Sequence, residues 1–250
     1  MMRVAKAVIL IFLTLFPALH CRAQRVCPQD STSAFNPTQL IAPGVLLGSG
    51  LAIHYFAHDT WDIAIRNRML EMSGGNTGMN FDDFIQYAPL VMDLGLGFTG
   101  VNARHCFLDR TIEAALAYAC TGILSWSGKA LLCTMRPNGA NDQSFPSGHC
   151  SFVFTGAELV RREYGWGWGA GAYTVAVTVA FMRMYRDWHW FSDVLAGAGV
   201  GILSANIGCW LLDPTKRLFG IQLPEKLQFA VVPSVDPFSK TFGTSLSVRF

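Results

Sequence analysis

Asn141-Asp142-Gln143-Ser144-Phe145-Pro146-Ser147-Gly148-His149 runs directly into an apolar helical pattern, Cys150 to Val160. A proline, a serine and a glycine ahead of such a pattern predict a tight turn and a helix N-terminus. Ser147 stands where an N-cap belongs, and Gly148 lets backbone approach whatever binds there. The first N–H groups of that helix point outward without partners, with the positive end of the helix dipole behind them, an arrangement that receives an anion such as phosphate. His149 can give or take a proton near neutral pH. Taken alone, the tetrapeptide also fits a plain turn with an incidental histidine.

Two flanking stretches change that reading. Upstream, Lys129 is followed after six residues by Arg136-Pro137; downstream, Arg183 precedes His189 and Asp193. Each has a bland reading by itself: Arg183 as an interfacial charge, His189 between Trp188 and Trp190 as an interface anchor, Asp193 as a cap. Together they supply cations to hold a phosphoryl group, a histidine to attack it and another to protonate the leaving oxygen. Arg186 and Asp187 are left as loop charges.

In these residues the chain resembles the type 2 phosphatidic acid phosphatase superfamily, which also holds bacterial class A acid phosphatases and vanadium haloperoxidases. Lys129, Arg136 and Pro137 match the first block of the family pattern, Pro146 to His149 the second, and Arg183, His189 and Asp193 the third. Met182 departs from it, standing where the family usually has serine. The blocks occupy residues 129–193, roughly a quarter of the chain. The resemblance implies an all-α, membrane-embedded helical bundle. It implies His189 as nucleophile forming a phosphohistidine, Asp193 fixing its tautomer, and His149 as the acid and then the base. Lys129, Arg136, Arg183, Ser147 and Gly148 then cradle the phosphate, with backbone N–H groups of Ser147 and Gly148 included. No metal or other cofactor is expected, because the cations supply the positive charge. The implied substrate is a lipid phosphate or an isoprenoid (pyro)phosphate. The alternatives are a periplasmic non-specific acid phosphatase, a vanadium haloperoxidase, and, from another class, a non-catalytic envelope protein.

Composition points the same way. Of 250 residues, 51% are hydrophobic and only 14% charged, against about 25% charged in ordinary soluble chains. That shortfall favours membrane contact, and a net charge of +2 makes no case for nucleic acid. Residues 1–23 read as a signal peptide: Arg3 and Lys6 form a basic start, Ala7 to Leu19 is apolar, and cleavage follows Ala23. An uncleaved first membrane helix is the alternative. Of the seven cysteines, Cys120, Cys133, Cys150 and Cys209 lie in or beside apolar helical pattern and read as small core residues, not a disulfide framework or metal site. His54 and His58 lie four apart without evident partner ligands.

The chain divides into the signal peptide, an interfacial helical segment (24–83), a helical phosphatase core (84–213) and a tail (214–250). Leu40 to Phe56 is apolar but interrupted by Pro43 and glycines, so a kinked or interfacial helix is expected there. Asp59 to Met72 is amphipathic and expected flat on a membrane surface. Spanning helices are expected at Phe84–Val101, Thr111–Leu132, Trp166–Met182 and Phe191–Leu212, with a shorter helix at Cys150–Val160. Gly95, Gly97, Gly169, Gly171, Gly197, Gly199 and Gly201 suit close helix packing. This order brings all three motif blocks to one end of the bundle. Arg104, His105, Arg110, Arg161 and Arg162 fall at the other, which predicts an active end facing the periplasm, provided Leu40–Phe56 does not cross fully. Beyond Pro214, alternation at Leu227, Phe229 and Val231 and at Leu246, Val248 and Phe250 predicts a small β-hairpin.

Overall fold

The computed structural model describes residues 35–74, 80–221, 228–236 and 241–249, and they are mostly helical. A 3-10 turn, Pro37–Leu40, opens the described chain. The Asn36 side chain caps it by accepting from the Thr38 N–H at 3.0 Å. Helix α1 (Ile41–Phe56) follows without a break. Pro43 falls in its first turn, where the missing N–H costs nothing, and the helix continues to Phe56. A π-turn, His58–Asp62, leads into α2 (Ile63–Ser73), which Gly74 ends in the left-handed conformation at φ 54°.

The expected spanning helix at Phe84–Val101 is instead three short pieces: α3 (Asp82–Ile85), α4 (Ala88–Gly95) and a 3-10 turn, Leu96–Thr99. Pro89 starts α4, and Gly100 closes the segment with φ 87°. Long helices then run up and down: α5 (Phe107–Leu132), α6 (Gly148–Tyr164), α7 (Trp166–Tyr185) and α8 (Phe191–Leu218). Gly165, at φ 80°, makes the one-residue turn between α6 and α7. Helix α8 continues through Pro214 to Leu218, so the boundary expected at 213/214 falls inside a helix. Strands β1 (Gln228–Asp236) and β2 (Thr241–Arg249) pair antiparallel, from Gln228↔Arg249 to Asp236↔Thr241. The residues between them and Phe250, part of the expected hairpin, lie outside the described residues, as does the expected signal peptide.

Helix α8 is the central column, packed against α1, α5 and α6, while α7 packs on α6. Small residues let it get there. A Cβ on Gly197 would sit 2.6 Å from the Ser147 carbonyl oxygen, and one on Gly208 2.8 Å from Ala117. Val153, Ala157 and Val160 of α6 meet Ala172, Ala176 and Val179 of α7 and Val194 and Ala198 of α8 in one buried cluster. Full burial of each valine there contributes about 1.5–3 kcal/mol. Of the glycines expected in close contacts, Gly169, Gly197, Gly199 and Gly201 have neighbours within 3 Å of a Cβ position, whereas Gly95 and Gly171 face open space.

Among the described residues two helical stretches are long and apolar enough to cross a membrane, Pro37–Phe56 and Phe191–Leu218, and the second is largely buried. Helix α5 does not reach that level, because Asp109, Arg110, Glu113 and Lys129 and several hydroxyl residues dilute it. Large apolar side chains nevertheless face outward on α1 (Val45, Tyr55, Phe56), α5 (Ile123, Trp126, Leu131) and α7 (Val177, Phe181).

The end of the bundle remote from the motifs is an internal ionic network. His105 Nδ1 lies 2.8 Å from Glu163 and 3.9 Å from Glu113. Arg110, 1% exposed, donates to the Asp93 carbonyl at 2.6 Å and to the Tyr164 hydroxyl. Arg161 pairs with Glu158, Arg162 bonds Asn206, and Lys216 pairs with Asp109. Arg110, Arg161 and Arg162, expected in basic loops at this end, are therefore held by the protein itself. Cys120, Cys133, Cys150 and Cys209 form no disulfide, with Cys133 exposed rather than in the core, and Cys106 is disulfide-bonded.

Candidate active site

The three motif blocks meet at one end of the bundle. Lys129 lies in the last turn of α5, His149 in the first of α6, Arg183 in the last of α7, and Asp193 in the first of α8. One backbone bond ties two blocks together: the Ser147 N–H donates to the Asp193 carbonyl at 3.0 Å. That contact corrects the expected cradle, since the Ser147 amide is already engaged. The N–H groups of Gly148, His149 and Cys150 have no backbone acceptor among the described residues. They are the free donors of the helix N-terminus. Ser147 holds the N-cap position without a side-chain cap bond. Its buried hydroxyl has no nitrogen or oxygen partner, and its polar neighbour is the Cys150 thiol.

His189 is buried, with Nδ1 3.4 Å from Asp193 Oδ2 and 3.4 Å from the Ser144 hydroxyl. Asp193 Oδ2 also accepts from Ser144 Oγ at 2.5 Å and from the Trp190 N–H at 2.8 Å. A carboxylate fixed by two other donors fixes the ring beside it through Nδ1 and leaves Nε2 as the ring nitrogen that Asp193 does not engage. Burial pushes His189 down to about 4; Asp193 opposes that, and Arg136 and Lys129 add to it. The imidazole is therefore neutral at pH 7, the form a nucleophile needs.

The cations differ in how they are held. Lys129 Nζ donates to the carbonyls of Gln143 and Pro146, both at 2.8 Å. Arg136 donates to Asn141 Oδ1 at 2.8 Å and stacks on the Trp188 ring at 5.0 Å. Neither has a carboxylate within 4 Å among the described residues. Arg183 stacks on the same Trp188 ring, at 5.5 Å, but reaches Asp82 at 2.7 Å and Asp83 at 3.1 Å. Burial lowers the Arg136 guanidinium below its usual range and the Arg183 charge lowers it further, against the Asp193 carboxylate.

Sequence reasoning missed the acidic pair of α3. Asp82 is fully buried between Arg183 and Arg186; burial works against its charge, but the two arginines outweigh it and hold its carboxyl below the usual range. Asp83 lies 3.1 Å from both His149 Nε2 and Arg183 Nη1. Burial, with Arg183, pushes His149 down to about 4 against Asp83 and Asp82. Arg186 and Asp187 are not loose loop charges: Arg186 is buried on Asp82, and Asp187 takes Arg66 at 2.7 and 2.8 Å. Asp62, expected on a membrane-facing helix, is buried and accepts from the Ser192 N–H at 2.9 Å and hydroxyl at 2.7 Å, which anchors the start of α8. No spacing rule links Asp82, Asp83 or Asp62 to the motifs; only Ser144, inside the quoted stretch, had a signal in reach.

For a metal, the one grouping of three suitable side chains among the described residues is His105, Glu113 and Glu163, whose ligand atoms lie within 4.8 Å of one another. It sits at the far end, away from the motifs.

The sequence pattern of the PAP2 superfamily matches residues 110–217, which includes every motif residue. Over those residues the chain is similar to the PAP2 superfamily. Asp82 and Asp83 lie ahead of the matched PAP2 segment. The chain is 29% identical over 223 residues to lipid A 1-phosphatase of Porphyromonas gingivalis, covering 82% of this chain but half the length of that relative. A putative undecaprenyl-diphosphatase of Escherichia coli is 29% identical over 156 residues, 58% of this chain and 75% of its own. The solved PAP2-type phosphatidylglycerolphosphate phosphatase of Bacillus subtilis shares 22% identity, with a TM-score of 0.48 over 71% of this chain and 96% of its own.

Proposed function

We propose that this chain is a phosphatase that removes phosphate, as a phosphomonoester or pyrophosphate, from a membrane lipid through a phosphohistidine on His189. The observation that carries this is Lys129 and Arg136, without carboxylate partners, beside a buried neutral histidine backed by a carboxylate. In the reaction Lys129, Arg136, Arg183 and the free N–H groups of Gly148 and His149 hold the phosphoryl oxygens, with the Ser147 hydroxyl beside them. His189 Nε2 attacks phosphorus in line and a P–N bond forms. The P–O ester bond breaks, its electrons stay on the leaving oxygen, and His149 protonates that oxygen. His149 then takes a proton from the water that hydrolyses the phosphohistidine. Asp193, held by Ser144 and the Trp190 N–H, keeps His189 in the attacking tautomer.

The His149 value below neutrality belongs to the empty site: a bound phosphate dianion offsets Arg183 and raises the basicity of His149, which then takes from solvent the proton it gives to the leaving oxygen. The outward-facing apolar side chains of α1, α5 and α7 support a lipid-facing body, with the lipid tail remaining in the bilayer. We place the site in the cell envelope with its mouth on the periplasmic side; the export-like pattern of residues 1–23 supports this. The domain division proposed is an N-terminal segment to residue 83, a catalytic bundle to the end of α8, and the paired-strand tail.

The test is phosphate release from lipid and soluble phosphates in detergent with EDTA, comparing the wild type with His189→Ala. EDTA-resistant release, lost in the variant together with an acid-labile phosphoenzyme, is the expected result. Release that survives in His189→Ala removes the phosphohistidine from the mechanism.

A further inference from the structure

We infer that Asp83 makes this site selective for phosphomonoesters over diphosphates, by placing a negative charge where the leaving group must go; this rests on the phosphatase reading above. Asp83 Oδ1 is 3.1 Å from His149 Nε2 and 3.1 Å from Arg183 Nη1. An oxygen within reach of both the clamp and the proton donor occupies the position of a scissile ester oxygen. Bound substrate therefore takes that position, and the Asp83 side chain, 42% exposed on a helix of four residues, moves aside against the leaving group.

The charges around that position decide what leaving group it accepts. On the phosphoryl side Lys129 and Arg136 carry no acid partner. Around Asp83 the positive charge is already matched, including that of Arg183, which the phosphoryl group shares. Arg183 and Arg186 face Asp82 and Asp83, and Arg66 is held by Asp187 at 2.7 and 2.8 Å. A monoester leaves as a neutral alcohol, whose hydroxyl can hydrogen-bond the Asp83 carboxylate. A lipid diphosphate attacked at its terminal phosphorus leaves as a lipid monophosphate, which brings its own negative charge against Asp83 without a free cation to meet it. Like charges set together in this way discriminate strongly between otherwise similar ligands. The site thus holds unpaired cations for one phosphate and not for a second. Asp82 and Asp83 precede the segment matched by the family pattern, so this selectivity belongs to the N-terminal part of the chain.

The experiment compares kcat/KM for a lipid monophosphate and a lipid diphosphate of the same tail, in the same detergent, for wild type, Asp83→Asn and Asp83→Glu. The wild type is expected to prefer the monoester. Asp83→Asn, which keeps shape and removes charge, is expected to lower the monoester-to-diphosphate ratio at least about tenfold, largely through KM for the diphosphate. Asp83→Glu is expected to keep the wild-type preference. An unchanged ratio in an active Asp83→Asn, or a wild type that prefers the diphosphate, overturns the inference and leaves the phosphatase reading standing. Release from neither substrate by wild type overturns both.

Discussion

His189 and His105 sit at opposite ends of one bundle, both among carboxylates and cations, and the protein treats them in opposite ways. Burial acts against the charged form of both rings. At the motif end it prevails, and Arg136 and Lys129 reinforce it, so His189 falls to about 4. At the far end Glu163, with Glu113 and Asp109, outweighs burial and His105 rises above its ordinary value. Charged residues alone do not separate a site from scaffolding, because both ends have them. The difference is whether the charges are matched within the fold. Arg161 and Lys216 pair with the carboxylates of Glu158 and Asp109, while Lys129 and Arg136 have only neutral hydrogen-bond partners. An unmatched cation cluster is a standing requirement for an anion from outside.

The strongest way to break this comparison is at the two histidines. His189→Ala is expected to lower kcat by at least about a thousandfold, the order seen when a nucleophile is removed. His105→Ala, equally buried in charge, is expected to leave kcat of the folded enzyme within about twofold. A large loss of kcat from His105→Ala in protein of normal melting temperature would show that the far end takes part in catalysis.

A sharper version uses the cations. Arg136→Ala removes a cation proposed to hold the phosphate and is expected to lower kcat/KM about 100- to 1000-fold. Its melting temperature should hardly move, because the substitution strands no carboxylate. Arg110→Met should do the reverse, with activity per folded molecule retained and stability lowered. Glu163→Gln belongs with it: it takes away the charge that holds His105 and should lower stability by about 3 kcal/mol, the scale for breaking a buried ion pair. Detergent-phase unfolding and initial rates on the same preparations separate the two patterns. If Arg136→Ala instead melts early with kcat/KM intact, its role is structural and the contrast between the ends collapses.

How much of this was readable in the chain follows from the range of each interaction. The turn at Pro146 to His149 and the helices after it rest on local periodicity, which the sequence displays, while the grouping of Lys129, Arg136, Arg183, His189 and Asp193 comes from the resemblance to the phosphatase superfamily. Asp82 and Asp83 reach Arg183 from about a hundred positions away, and a four-residue helix leaves no periodic trace. Arg110 read as a loop cation because its acceptors, a backbone carbonyl and the Tyr164 hydroxyl, depend on tertiary packing. Pro214 read as a boundary because proline opposes helix interiors, yet Lys216 pairs with Asp109 two residues beyond it and ties the last turns to α5. The Ser147 amide was misassigned for a related reason: an N-terminal N–H is free only if no neighbouring carbonyl approaches, and α8 comes close enough here because residue 197 is glycine.

The smallest expected effect follows from the opposite signs of the two shifts. His189 and His149 are lowered from 6.5 to about 4, so the folded state disfavours their protonation. Their contribution to stability is complete above pH 6.5 and is lost as pH falls from 6.5 toward 4. His105 is raised, so its contribution is complete below 6.5 and is lost as pH climbs through its raised value. The bundle should thus soften from the motif end in acid and from the far end in base. Inorganic phosphate or vanadate, bound among Lys129, Arg136 and Arg183, removes part of the positive field that depresses His189. The ligand should therefore recover melting temperature at pH 5 more than at pH 8. Glu163→Gln should flatten the basic limb and leave the acidic limb as it was. Melting curves across this range, with and without vanadate, decide the matter. Equal rescue at both pH values would mean that the anion does not bind beside the depressed histidines, and the unmatched cations would need another explanation.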